Sequence, residues 1–303
     1  MTPDDVERAA GLIAPYVRRT PTIEHGPLVL KLELLQHAGS FKTRGAFNRV
    51  LGEPSIPDAG LIAASGGNHG AALSYVGGRL GVATEIFVPS TSPDVKRRNI
   101  ERFGATAYVV DGYYDDAQAA ADARQRETGA LQIHPYDHPA TVAGQGTMAR
   151  ELDQQVAAID TIVVAAGGGG FVAGQAAWFG DRVRVVSAEP ETSQCLRAAR
   201  MAGEPVDVDV SGVAADSLGA KRLGAVPWAI VQRFVDEAVV VTDDDIRAAQ
   251  RELWAEFRLV VEPGGAAAFA ALRSGAYRPG SDERVVVAVC GSNCDPSTII
   301  DAS

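Results

Sequence analysis

Three runs of the chain, "TIVVAA" (161–166), "RVRVVSA" (182–188) and "ERVVVAVC" (283–290), are apolar almost without interruption. A strand with one wet face alternates apolar and polar residues, whereas one without alternation must be covered on both sides. Shorter runs of the same kind precede them: "LVLKLE" (28–33), "LIAA" (61–64), "EIFVP" (85–89) and "TAYVV" (106–110). Longer amphipathic stretches separate these strands and supply the covers. The alternation predicts an α/β fold of mainly parallel twisted sheets flanked by helices. At 303 residues the chain is longer than one core usually organises, so two lobes are expected.

Helix signals fit this reading. Thr2-Pro3-Asp4-Asp5 offers a cap, a first-turn proline and acids at the positive end of a helix carrying Val6, Ala10 and Ile13. Ser92-Pro93-Asp94 starts a basic helix that ends near Gly104, and "DDAQAAADARQRETG" (115–129) predicts another. "VVEPGGAAAFAAL" (260–272) reads as a strand end followed by a helix packed closely through its alanines. "HPYDHPATV" (134–142), with two prolines, is the best candidate crossing between lobes.

Charge and composition remove whole classes of function. A formal net charge of −10 and a pI near 5.0 argue against nucleic acid and an anionic membrane surface as partners. No apolar run reaches the roughly 18–20 residues that span a bilayer. The acidic N-terminus lacks the pattern of a signal peptide. Three cysteines, Cys195, Cys290 and Cys294, are too few for a disulfide framework or a four-cysteine zinc site, which points to a cytoplasmic setting and to no metal ligand set.

Four loops carry chemistry. In "AGSFKTRGAFN" (38–48) a lone ammonium, Lys42, follows Phe41 among small residues at a loop-to-helix junction. "SGGNHG" (65–70), "GGGG" (167–170) and "CGSNCD" (290–295) each follow a predicted strand, where ligands of open α/β sheets collect. Four glycines let the backbone approach an anion and present N–H groups at a helix N-terminus. Their spacing is not G-x-G-x-x-G and no Walker lysine follows, so a compact phosphate fits better than a dinucleotide or triphosphate. Ser65, Asn68 and His69, with Gly66 and Gly67, make a small concavity suited to a carboxylate or a phenolate-like oxygen. Any one of these loops alone reads equally well as a tight strand-to-helix turn. Together they describe a ligand with a phosphate, an aromatic heterocycle and a carbonyl that a lysine can condense with, namely pyridoxal 5'-phosphate.

The motifs "KLELLQHAGSFKTRGAFN", "SGGNHG", "GQGT" (144–147), "AGGGG", "VEPGGAA" and "CGSN" occur in an order that resembles the fold-type II pyridoxal-phosphate enzymes, which are tryptophan synthase β-like and two-lobed. Within them the chain is similar to the serine/threonine dehydratase branch, which also contains serine racemase. The resemblance implies a larger lobe from residues 1–52 and 136–303, a smaller lobe from 53–135 that carries the substrate loop, closure between them, and a homodimer. Lys42 would carry the cofactor as a Schiff base and take the Cα proton, with Phe41 packed near the ring. Gly167, Gly168, Gly169 and Gly170, with the Phe171 amide, would hold the phosphate. Asn68 would bond the phenolic oxygen, and Cys290 would face the pyridine nitrogen. Ser65, Gly66, Gly67 and His69 would take the carboxylate of an amino-acid substrate.

The implied reaction is elimination of water from serine, threonine or a related 3-hydroxy amino acid, giving a 2-keto acid and ammonia. The alternatives are a β-replacement synthase, an amino-acid racemase, or a binding protein that has lost the chemistry. Racemases of the family carry a serine at the position of Gly66, which has no side chain to move a proton. Relatives that bind a cation use an acid at Glu189 and a second one where this chain has Cys195; that leaves room only for a monovalent ion held by carbonyls. The chain ends about ten residues after "CGSN", so the regulatory domain of biosynthetic threonine deaminases is not expected.

Overall fold

The computed structural model describes residues 1–92 and 94–300, and at 95, 96 and 300 the backbone alone. Among these residues ten strands form two sheets: β1 (Thr22–His25), β2 (Leu28–Leu32), β3 (Leu61–Ala64), β4 (Thr84–Pro89), β5 (Thr106–Val110), β6 (Leu131–Gln132), β7 (Thr161–Ala165), β8 (Arg184–Pro190), β9 (Glu237–Val241) and β10 (Val285–Val289). One sheet has the order β1-β2-β10-β7-β8-β9 and the other β5-β4-β3-β6. Every pairing is parallel except β1 with β2, an antiparallel edge.

The uninterrupted apolar runs become strands buried along their whole length: β7 and β10 have no exposed residue. In the four-stranded sheet, Leu61 and Ala63 join one apolar cluster and Ile62 and Ala64 another, the two faces of one pleat. The first of those clusters also takes Ala46, Phe47 and Val50 from the helix Lys42–Leu51 and Ile13 from the helix Pro3–Ile13. The helix that begins at Lys42 thus shares a core with the four-stranded sheet.

Predicted helices appear at Pro3–Ile13, Asp94–Arg102 and Tyr114–Thr128. The predicted start of the second falls in part on Pro93, outside the described residues. A correction concerns 260–261, expected to end a strand. These residues pair with no strand, and the Gln250 side chain donates to the Val261 carbonyl (2.7 Å) before the helix Pro263–Arg273 begins. A side-chain amide does there what a neighbouring strand would otherwise do.

Candidate active site

Past the carboxyl ends of β3 and β7 lies a cleft of about 590 Å³. Its walls include Phe41, Lys42, Ser65, Gly66, Gly67, Asn68, His69, Gly167, Gly168, Gly169, Gly170 and Phe171. Twelve of the thirteen sequence-predicted site residues therefore meet at one place. Cys290 does not line the cleft. It is buried, its carbonyl accepting from the Phe41 N–H (3.2 Å) and its Sγ 3.8 Å from the Gly264 carbonyl. Burial pushes the Cys290 thiol well up, so it stays protonated.

Lys42 is the first residue of its helix. Its Nζ donates to the Pro135 carbonyl (3.0 Å) and lies 5.2 Å from the centre of the Phe41 ring. Phe41 in turn stacks on Phe171, with centroids 3.9 Å apart and planes 20° apart. One side of Lys42 opens to the cleft, but dense protein around the ammonium lowers its pKa to about 8, against the opposing pull of Cys290 and Glu262. A neutral amine is thus accessible near physiological pH, as a nucleophile or base requires.

The loop before Lys42 is stitched to the loop after β10. The Ser292 N–H donates to the Gly39 carbonyl (2.9 Å), and Asn293 Nδ2 to the carbonyl of Ala38 (2.8 Å), a residue held at a left-handed φ of 57°. The same Asn293 Nδ2 donates to Asn68 Oδ1 (2.7 Å), which fixes the Asn68 amide so that its Nδ2 donates to Glu262 Oε1 (2.5 Å). Asn293 and Glu262 are the partners that sequence reasoning left without roles. The signal for Glu262 was an acid in an apolar stretch just before the helix proline of "VEPGGAA".

His69 is more constrained than expected. Its Nε2 sits 2.8 Å from the Ile133 carbonyl, so that nitrogen carries the proton and its N–H is occupied. Burial and the neighbouring Lys42 pull its pKa down to about 3, so the ring is neutral and offers the loop a lone pair and a backbone N–H. The Ser65 hydroxyl accepts from the Gly67 N–H (3.2 Å) and shapes the turn before the helix Asn68–Leu80.

The tetraglycine ends at the helix Gly170–Phe179, whose first N–H groups have no partner within the helix. Gly169 has a φ of +88°, a conformation costly for other residues. A Cβ on Gly168 would lie 2.4–2.5 Å from three ring carbons of Tyr136, so this ring rests flat on the loop. Tyr136, a wall residue missed in the sequence, also donates from its hydroxyl to the Arg222 carbonyl (3.3 Å). The cradle fits a compact phosphate, and Lys42 fits the carbonyl of the same ligand. Replacing Gly168 by Ala forces the Tyr136 ring aside, an overpacking cost of about 1–3 kcal/mol, or roughly 5- to 150-fold in affinity. The expected result is a weaker Kd for pyridoxal phosphate in an absorbance titration of Gly168→Ala; an unchanged Kd would remove this loop from the site.

Both Glu189 oxygens accept from the N-terminus of the helix Cys195–Ala202, from Leu196 and Arg197 N–H (2.8 Å each), and Cys195 Sγ lies 3.1 Å from the Gly167 carbonyl. Among the described residues no cluster of His, Cys, Asp and Glu has the arrangement to hold a metal ion. No described helix is long and apolar enough to cross a membrane.

A doubly covered parallel sheet, a glycine phosphate cradle and a buried amine of lowered pKa define a pyridoxal-phosphate enzyme. The chain belongs to the family described as "Pyridoxal-phosphate dependent enzyme", whose model matches residues 13–291, and pyridoxal phosphate is its cofactor. It is 36% identical over 250 residues to the L-threonine dehydratase biosynthetic IlvA of Escherichia coli (strain K12), covering 81% of this chain and 49% of that protein. It thus spans about half the length of the threonine dehydratases it matches. To the serine racemase of Mus musculus it is 32% identical over 318 residues, covering 97% of this chain and 92% of that one. Among solved structures, maize serine racemase superposes with a TM-score of 0.93 at 31% identity, covering 99% of this chain and 96% of that chain. The threonine deaminase of T.th. gives 0.91 at 30% identity, covering 97% and 99%.

Proposed function

We propose that the chain is an ammonia-lyase that eliminates water from serine, threonine or a related 3-hydroxy amino acid, releasing a 2-keto acid and ammonia. The carrying observation is the asymmetry of the cleft. Lys42, an amine of pKa about 8, lines it together with the loop Ser65–Gly66–Gly67, whose central residue has no side chain. Proton removal without a matching donor on the other face favours elimination over inversion.

Pyridoxal phosphate, when bound, supplies a carbonyl for amine exchange and a sink for the charge that develops at Cα. The protein does the rest. Gly167–Gly170 and the Phe171 amide hold the phosphate at the helix N-terminus, and Phe41 and Phe171 form an apolar wall. Asn68, held by Glu262 and Asn293, would offer an amide N–H to the ring oxygen. The Ser65 loop takes the substrate carboxylate through backbone N–H groups. Lys42 Nζ, held near the Pro135 carbonyl, receives the Cα proton. Cys290, kept protonated by burial, would offer no charge to a ring nitrogen beside it and would keep the sink moderate. The lobe carrying the Ser65 loop, 53–135, closes over the substrate.

Two results test this reading. L-threonine or L-serine gives keto acid and ammonia in equal amounts with no second substrate, whereas a β-replacement synthase stays idle until a nucleophile is added. The pH profile follows from the lowered lysine pKa: the amine freed by substrate takes the proton only when neutral, so kcat rises with pH and levels off above about 8. A profile flat from pH 6 to 9 would count against Lys42 as the base.

Beside the likeness to serine racemases, a geometric observation favours a racemase reading. Ser92 Oγ lies 1.8 Å from where a Cβ on Gly66 would stand, so a hydroxyl from another segment fills the space that a serine there would claim.

A further inference from the structure

Three residues of the motif around Lys42 have no part in the chemistry above: Lys31, Glu33 and Arg44. They come together with Glu151, four residues past "GQGT". Arg44 is 1% exposed and forks onto Glu33, with Nε to Oε2 at 2.8 Å and Nη2 to Oε1 at 2.7 Å. Its Nη2 also reaches Glu151 Oε2 (3.0 Å) and its Nη1 the Thr147 hydroxyl of "GQGT" (3.3 Å). Lys31, fully buried, donates to Glu151 Oε1 (2.5 Å) and to the Thr20 carbonyl (2.7 Å). Two cations and two carboxylates thus form a neutral, largely buried cluster.

A cluster of this kind is weak as a source of stability, since well-packed apolar residues often do as well. What it supplies is direction: a guanidinium fork fixes angle and distance in a way that apolar contacts do not. Its place gives that direction a use. Arg44 follows Lys42 by two residues, about 200° around the helix, and so faces away from the cleft. Other faces are fixed as well. Ala46, Phe47 and Val50 enter the core of the four-stranded sheet. Gly45 lies so close to the helix Pro139–Gln155 that a Cβ on Gly144 would stand 2.7 Å from the Gly45 Cα.

We propose that the Lys31–Glu33–Arg44–Glu151 cluster is a positioning device that fixes the rotation and depth of the helix Lys42–Leu51, and through it the place of Lys42 Nζ. This rests on the reading of Lys42 as the reacting amine. Removing one charge alone strands its partners and threatens the fold, so the informative variants keep the charge balanced: Arg44→Met with Glu33→Met together, and Arg44→Lys alone.

Lys42 is followed in the cofactor-free protein by pulse acylation with acetic anhydride across pH, read by mass spectrometry, and in the loaded enzyme by kcat and KM on L-threonine. The titratable groups facing Lys42 are Cys290, Glu262, His69 and His134, and all stay in place in both variants. The double variant is expected to melt near the wild-type temperature. Its acylation midpoint should move up from about 8 toward the ordinary lysine value as the amine becomes wetter. With the amine displaced by about an ångström, kcat falls roughly 10- to 100-fold while KM stays within about twofold. Arg44→Lys keeps the charge without the fork and should show the same shift, smaller. Folded variants with wild-type midpoint and kcat overturn the proposal, and so does failure of both to fold, which would make the cluster a stability element alone. A wild type inert toward hydroxy amino acids, with the midpoint still moving in the variants, would sink the proposed reaction and leave the positioning role standing.

Discussion

Replacing Lys42 by Ala is expected to abolish turnover while leaving the fold intact. A positioned base alone is worth about 10²–10⁴ in rate, and this variant also loses the amine that binds the cofactor covalently, so kcat should fall by more than about 10³. The visible absorption of the lysine-bound cofactor should vanish with it. The fold has little reason to suffer, because burying that ammonium is costly, as its lowered pKa records. The sign can be checked in the cofactor-free protein. A lysine whose folded pKa is depressed keeps fewer protons folded than unfolded between about 8 and its ordinary value of 10.5. Its contribution to stability is therefore least favourable below pH 8 and improves as pH rises through that window. In Lys42→Ala that part of the pH dependence disappears. A variant that still releases keto acid at more than a few per cent of the wild-type rate would show that another group is the base. One that binds no cofactor at all yet unfolds early would make Lys42 structural.

How much of this could be read from the sequence depended on whether the physics was local. The doubly buried strands were legible because absence of alternation has one cause, coverage on both faces. β9, a half-exposed edge, β1, the antiparallel edge, and β6, two residues long, carried weaker patterns and passed unread. The glycine loops were legible because glycine at a strand-to-helix turn marks close backbone approach. Their partners were not. Asn68 and Glu262 are 194 residues apart, and nothing in either neighbourhood announces the other. Pro135 acts through a main-chain carbonyl, which has no letter in the sequence. The His69 tautomer depends on Ile133, a residue whose side chain is irrelevant to it. Cys290, expected to face the ring nitrogen, is buried, with its carbonyl on the Phe41 N–H and its thiol by the Gly264 carbonyl, and does not line the cleft. The ion cluster behind Lys42 was visible as letters of a motif, and only the packing of a helix, a strand and a second helix gave those letters a common purpose.

Stereochemistry should separate the two readings of the cleft. In the elimination reading, wild-type enzyme incubated with L-serine in deuterated water yields keto acid and no D-serine. Introducing a hydroxyl at Gly66 should then create the missing second face, but not by a single change. A Cβ there meets Ser92 Oγ at 1.8 Å and Ser92 Cβ at 2.7 Å, so Gly66→Ser alone clashes with a neighbouring segment and is expected to lose substrate affinity. Gly66→Ser combined with Ser92→Gly clears both atoms. It should release measurable D-serine beside the keto acid, read by chiral chromatography, with deuterium at Cα. Ser92→Ala decides the competing case. If wild type already makes D-serine and Ser92→Ala stops it while keto acid formation continues, the Ser92 hydroxyl serves as the opposite-face group and the enzyme is a racemase with elimination alongside. If wild type makes none and Ser92→Ala changes nothing, the hydroxyl merely fills space. A bare glycine opposite Lys42 then accounts for a reaction that runs in one direction, toward loss of water.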